Sequence, residues 1–355
     1  VSHLSFLIRR IRLLVRGVLV DRDHPPFAHL SSIEDPEEFV WAILPHAARS
    51  FSVSILLLPE KSARVAAVGY LYARMLDTYE DLSLSWAEAR TSLAGFADRY
   101  GAGRPGAAPP APTPADPDAR DRVHLLLLER YQVVDEVFLE LSIEDQQRVT
   151  RLVQDMASAM SDASTIFERQ GGVLDNQQQV LDYCRGVIGL PALFAMDLLV
   201  DNGSGEHASD ALEVSELIQL ANITRDVEKD LQRGVAYHPA LKPHLGSDGD
   251  GEVAVVVASA RRDLMSLAIK RVRSFRRLLE AVDLPRLSAA RVAAVLMMLF
   301  TERHYGAYSE IAEAPRLIRP RRVTMMMLKS LPAAFSPRWA DRILIRVEED
   351  LLAAA

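Results

Sequence analysis

Asp77, Glu80 and Asp81 stand in the run Asp77-Thr-Tyr-Glu-Asp81, at spacings that place all three carboxylates on one face of a helix. Extending that face backward by three and seven residues adds Arg74 and Tyr70. A second stripe lies in Ala221-Asn-Ile-Thr-Arg-Asp-Val-Glu-Lys-Asp230, where Asn222, Asp226 and Asp230 recur every fourth residue with Arg225 and Lys229 alongside. Two carboxylate clusters on separate helices suit a hard cation, and Mg²⁺ binds through a few carboxylates, retained waters and substrate phosphate oxygens. The neighbouring Arg and Lys side chains suit those phosphate oxygens. A single such stripe is more often the solvated face of a surface helix. Both stripes here follow apolar stretches, Ala63 to Leu76 and Val214 to Ala221, which points them inward. Buried like charges without a counter-ion must protonate or destabilise the fold, so the pattern asks for a cation.

Competing chemistries find no support in the residues. The nine histidines form no i, i+4 pair, and Cys184 is the single cysteine, which excludes a multi-thiolate metal site and an internal disulfide. A reducing cytoplasm fits that cysteine usage. Neither a Gly-rich phosphate loop nor a nucleophile elbow is present. The formal charge is −7, from 41 basic against 48 acidic residues, which argues against nucleic acid as a partner. Only five of the basic residues are Lys, and Ala is abundant, a codon-level sign of a GC-rich bacterial genome.

The elements that carry these residues read as helices. With 355 residues, 49% hydrophobic and 25% charged, the chain can bury a large core. Apolar residues recur at helical spacing near 4–20, 36–48, 61–82, 86–99, 120–141, 144–168, 176–201, 209–232, 252–282, 287–310 and 337–352, with no sustained period-2 pattern. Val253-Ala-Val-Val-Val257 has β propensity but runs directly into an Arg-rich helical period, so it reads as helix. An all-α bundle in a single domain follows. Gly101 to Ala119 holds six of the 19 prolines and reads as a mobile surface loop.

At the N-terminus, Leu4, Leu7, Ile8, Ile11, Leu14, Val15 and Val18 share one helical face, and Arg9, Arg12 and Arg16 cluster opposite. That amphipathic extension, within residues 1–35, is either a peripheral membrane contact or a helix closing over the core. Arg9, Arg10, Arg12 and Arg16 interrupt any secretory signal. The most apolar run, Val292 to Phe300, is far shorter than the roughly 20 residues a membrane span needs.

Taken together, these motifs resemble the squalene/phytoene synthases. Asp77-Thr-Tyr-Glu-Asp81 resembles that family's first aspartate-rich motif in its squalene-synthase form, and Asn222 to Asp230 resembles the second. Arg49-Ser50-Phe51 resembles its diphosphate-contacting segment, and Tyr70 with Arg74 match its Tyr and Arg upstream of the first motif. Tyr183-Cys184 resembles the start of its Tyr-Cys-x-x-Val-Ala-Gly element, and Arg233, Gly234, Tyr237 and Pro239 its tail after the second motif.

The resemblance implies an isoprenoid-synthase fold around a central apolar cavity. Asp77, Glu80, Asp81, Asn222, Asp226 and Asp230 would hold Mg²⁺ on the diphosphate of an allylic prenyl diphosphate, whose carbon–oxygen bond then ionises. Helices 61–76 and 287–300, with Met297 and Met298, would either line the cavity or form ordinary core. Departures from the family bear on the second prenyl diphosphate: Ile188 replaces an Ala and Pro191 a Val or Gly in the element after Tyr183-Cys184, Lys229 a Glu in the second motif, and Val235 an Arg of the tail, a candidate phosphate contact. They favour transfer of one prenyl group to an aromatic, indole- or carbazole-like acceptor. The alternative is head-to-head condensation of two prenyl diphosphates, with NADPH needed only for reductive squalene formation. A non-catalytic scaffold of the same fold is a third reading, which retention of all five acids opposes.

Overall fold

A computed structural model describes residue 13 and residues 24–48, 50–100, 105–199, 205–249, 251–282, 284–285, 287–309 and 323–354. The chain divides into two compact units, Val1–Ser164 and Thr165–Ala355. Among the described residues there is no β-strand, and the one isolated bridge pairs Val173 with Ala236. The expected N-terminal amphipathic helix and Arg49 lie outside the described residues.

The first unit holds α1 (Phe27–Ser32), α2 (Pro36–Ala48), α3 (Ser50–Leu56), α4 (Glu60–Leu82), α5 (Trp86–Asp98), α6 (Ala119–Glu129) and α7 (Tyr131–Leu139). It also holds most of α8 (Ile143–Gln170), inside which the division falls. Its centre is α4, packed against α2, α3, α5, α6 and α7. Val65, Ala67, Val68, Leu71, Tyr72, Met75, Leu76 and Tyr79 of α4 are all buried, so this helix is apolar nearly all round until its last turns. That burial, rather than a side-chain cap at Pro59, stabilises it.

The second unit holds α9 (Gln177–Cys184), a π-helical turn (Arg185–Gly189), α10 (Leu190–Asp197), α11 (Ala208–Gln232), α12 (Glu252–Ile269) and α13 (Val272–Ala281), followed by α14 (Ala289–Ser309), α15 (Val323–Ser330) and α16 (Pro337–Ala354). Helix α11 is its axis, contacting α9, α10, the π turn, α12, α13 and α14. The β-prone stretch at 253–257 is helical within α12.

Three expected helices are interrupted. The 120–141 helix breaks at Arg130, whose guanidinium donates to the carbonyls of Leu30 (2.8 Å), Ser31 (3.1 Å) and Ile33 (2.5 Å). The 252–282 helix breaks before Arg271, whose guanidinium turns to buried Glu216 and the Leu267 carbonyl. The 176–201 helix contains the π turn. There Leu190 N–H donates to the Arg185 carbonyl, five residues back, immediately before Pro191, which has no N–H to give an α-helical partner.

The proline-rich segment has no helix, as expected, and residues 105–118 form an irregular strap seated on α4 and α5. Gly106 N–H donates to the Arg99 carbonyl and Arg99 Nε to the Gly106 carbonyl, both at 2.9 Å. Tyr79 Oη donates to the Pro109 carbonyl at 2.6 Å. Prolines removed the helix from this segment, but they left carbonyls free to accept.

Candidate active site

The first acidic motif occupies the last turns of α4. Arg74 Nη2 donates to Tyr70 Oη at 2.9 Å, and Arg74 Nη1 lies 3.0 Å from Asp77 Oδ2. The Phe51 ring of α3 sits 5.8 Å from the Tyr70 ring, centroid to centroid. Four residues singled out by sequence, Phe51, Tyr70, Arg74 and Asp77, therefore form one continuous line. Glu80 is half-buried beside them and Asp81 is exposed. Ser50 opens α3.

Arg74 engages one oxygen of the Asp77 carboxyl, Oδ2, and leaves the other, Oδ1, to be satisfied. Burial pushes the Asp77 pKa up to about 6; Arg74 opposes the rise, the Asp81 charge adds to it, and Arg120 opposes it again. Arg74 is held charged: burial opposes its positive form, but Tyr70, Asp77 and Asp81 raise its pKa above the usual value. Asp77 Oδ1 is buried with no hydrogen-bond partner among the described residues, a state that normally costs stability. An orphaned carboxylate oxygen fits a hard cation. Among the described residues no three His, Cys, Asp or Glu side chains form a ready cage. An ion that takes one or two protein carboxylates and completes its shell with water and phosphate, as Mg²⁺ does, needs no such cage.

In the second unit, α11 carries Asn222, Arg225, Asp226, Lys229 and Asp230, all half-buried. Arg225 and Asp226 face each other as a bidentate pair, Nε to Oδ1 at 2.7 Å and Nη2 to Oδ2 at 2.6 Å. Sequence spacing assigned the guanidinium to phosphate and the carboxylate to metal; in this structure each occupies the other. Asn222 Nδ2 donates to Gln219 Oε1 at 3.1 Å.

The motif helix is fastened from behind by a residue that sequence reading passed over. Arg261 of α12 is 1% exposed. It donates from Nε to the Thr224 carbonyl at 2.8 Å and from Nη2 to both Glu228 carboxylate oxygens at 2.7–2.8 Å. Its only sequence signal was a charged pair, Arg261-Arg262, inside an apolar period.

The tail after α11 is locked by two glycines. Gly172 (φ +90°) lies so near Gly234 that a Cβ on it would stand 2.3 Å from the Gly234 carbonyl oxygen. Ala236 N–H donates to the Gly172 carbonyl at 2.8 Å and Leu174 N–H to the Ala236 carbonyl at 3.0 Å. This brings Tyr237 onto Tyr183, ring centroids 5.2 Å apart and Oη atoms at 3.3 Å, with Phe167 packed edge-on to both. Arg233 is exposed on the same tail.

Ile188 lies half-buried in the π turn, which Gly189 presses against α11: a Cβ there would meet Leu212 Cδ2 at 2.8 Å and Ser215 Oγ at 3.2 Å. The turn is anchored by Glu216, 1% exposed, which accepts from Arg185 Nε at 2.6 Å and from Arg271. Arg185, Glu216 and Arg271 were not singled out in the sequence because the partners lie on three separate elements.

Comparison with known proteins finds similarity over most of the chain. A squalene/phytoene synthase family model matches residues 44–325. Two curated relatives from Botryococcus braunii, Botryococcus squalene synthase and squalene synthase BSS, are 27% and 28% identical over 219 and 218 residues, or 59% and 58% of this chain. The matched region is 43% of each relative's length. Among solved structures, TcSQS in complex with a ligand aligns with a TM-score of 0.59 at 19% identity, covering 91% of this chain and 100% of that one. A dehydrosqualene synthase in complex with a ligand aligns at 0.51 and 15% identity, covering 92% and 99%. Both structures share the all-helical fold. No described helix is long and apolar enough to cross a membrane.

Proposed function

The chain belongs to the squalene/phytoene synthase family, and from that premise we propose that it joins two allylic prenyl diphosphates head to head with release of diphosphate. The observation that carries the reading is the line from Phe51 through Tyr70 and Arg74 to Asp77, ending in a buried carboxylate oxygen without a partner. Its first need is a cation, and its neighbours are a guanidinium and aromatic rings. That combination suits a substrate with a diphosphate head and an apolar tail.

Asp77 and Asp81 in one motif, and Asp226 and Asp230 with Asn222 in the other, would hold Mg²⁺, with Glu80 beside the first pair. When bound, that ion supplies Lewis-acid stabilisation of the departing diphosphate. The remaining work falls to the protein. Arg74, fixed by Tyr70 and Asp77, offers a fully charged donor to the leaving oxygens. Lys229, Arg233 and the residues at 49–51 are further candidates for diphosphate contact. Arg225 would exchange Asp226 for a diphosphate oxygen on substrate binding, which frees both Asp226 oxygens. The carbon–oxygen bond breaks with its electron pair leaving on diphosphate. The double bond of the second prenyl chain attacks the resulting allylic cation, a carbon–carbon bond forms, and a proton is lost.

The tilted Tyr183–Tyr237 ring pair and Ile188 are assigned to the prenyl chains, where aromatic faces stabilise positive charge. Ile188 and Pro191 had favoured a single aromatic acceptor. The named relatives support the two-prenyl reading over that one, and Pro191 is accommodated by the π turn.

The test is diphosphate release with Mg²⁺ and short or long prenyl diphosphates, each alone, with NADPH, and with an indole- or carbazole-like acceptor. Release without acceptor, and a product joining two prenyl units, is expected. Release that depends on the aromatic compound, with one prenyl unit added to it, would replace this reading by aromatic transfer.

A further inference from the structure

We propose that the proline-rich strap, residues 105–118, is a positioning element of the first acidic motif and that Tyr79 is its positioning residue toward a divalent cation at Asp77. The proposal rests on the metal-dependent reading above and adds a part that the acids themselves do not reveal.

Tyr79 lies inside the motif, yet on the opposite side of the helix from its two aspartates. At about 100° per residue it stands roughly 200° round from both Asp77 and Asp81. Its side chain is fully buried, packs 5.9 Å from the Phe96 ring, and donates its hydroxyl to the Pro109 carbonyl.

The place needs such a fastening. Asp77, Glu80 and Asp81 crowd the last turns of α4, which ends at Leu82. Carboxylates there oppose both one another and the negative end of the helix dipole. Helix ends also fray first. A turn loaded in this way opens unless something behind it holds it closed, and ligand spacing opens with it.

The strap is built to hold. Proline rings fix φ and reduce the freedom lost on ordering. Pro109 enters a seat made by Gly95, where an added Cβ would lie 3.0 Å from Pro109 Cγ. One end is clamped by the reciprocal Arg99–Gly106 bonds. The Arg99 guanidinium itself pairs with Asp135 and lies over the rings of Phe96, Tyr100 and Tyr131 at 4.8, 5.5 and 4.5 Å. The other end is clamped by the Asp118–Asp121 capping box that starts α6.

The experiment is Mn²⁺ titration of the full chain, followed by electron paramagnetic resonance, as a probe of the cation site apart from turnover. Tyr79→Phe, which removes only the hydroxyl, is expected to weaken Mn²⁺ binding about five- to tenfold. Trp41→Phe removes a hydrogen bond of similar length to Glu37, 2.7 Å, away from the strap; it is the control for stability loss alone and should bind as wild type does. If Tyr79→Phe folds poorly, Gly95→Ala displaces Pro109 without touching α4 and should weaken binding in the same direction. Wild-type affinity in both variants, with Asp77→Asn clearly weaker, would overturn the strap's role and leave the metal reading intact. Equal binding by wild type and Asp77→Asn would overturn both.

Discussion

Asp77 shows how one side chain can be costly to the fold and necessary to its chemistry. Its ionised form is desolvated and one of its oxygens has no hydrogen-bond partner, so the fold disfavours its charge relative to water. With its pKa raised from 3.8 to about 6, the folded chain binds that proton more tightly than the unfolded chain does. Stability therefore falls as pH rises from about 4 through 6, and the whole penalty is present above that window. At about 1.4 kcal/mol per pH unit, it is on the order of 2–3 kcal/mol. In EDTA at pH 7.5, Asp77→Asn should accordingly be more stable than wild type in urea denaturation, and the difference should vanish towards pH 4. The same variant should lose diphosphate release by about 10³-fold, since several kcal/mol of charge stabilisation depend on the metal. A variant that gains stability while losing turnover separates a functional acid from a structural one. Equal stability at pH 7.5 would mean that the carboxylate is better solvated than its surroundings suggest.

At the scale of elements, fine placement comes from contacts between segments far apart in sequence. The bridge that seats the tail behind the second motif depends on Gly172, where an added Cβ meets backbone, not a yielding side chain. Gly172→Ala should therefore cost about 2–4 kcal/mol through combined strain and clash. Gly234→Ala, also at positive φ but with open space around it, should cost only about 1 kcal/mol. Denaturation midpoints of the two variants test that order, and a reversed order would mean that the 171–174 segment adjusts freely. This explains what sequence could and could not supply. The helices themselves, the acidic faces and the line from Tyr70 to Asp77 were legible because they repeat at the helical period. The breaks at Arg130 and Arg271, and the seating of the strap, were not. Each is set by a partner from another element: the Leu30 and Ile33 carbonyls, Glu216, and Tyr79 with Arg99. The π turn lay between these cases, since a proline inside a helical period marks a lost N–H but not how the chain absorbs it.

Across the whole molecule, the family match runs from residue 44 to 325 and so takes in parts of both compact units. Each unit has its own acidic stripe, its own buried arginine behind or beside that stripe, and its own aromatic cluster. Arg99 serves the first unit and Arg261 the second. Such duplication of parts allows two interpretations: two separate cation sites with separate duties, or two contributions to a single reaction. Kinetics distinguishes them through additivity. If Asp77 and Asp226 serve separate duties, the losses from Asp77→Asn and Asp226→Asn multiply in the double variant. If both serve the same ionisation step, either substitution removes most of what the pair supplies, and the double variant falls little further, as groups that act as a unit do. The second outcome is expected, with each single variant down about 10³-fold and the double variant within about tenfold of either. Diphosphate release should also stop in EDTA and return on adding Mg²⁺ to the wild type. Circular dichroism should show the helical fold unchanged in all three variants, because neither carboxylate contributes an apolar contact to the cores built around α4 and α11.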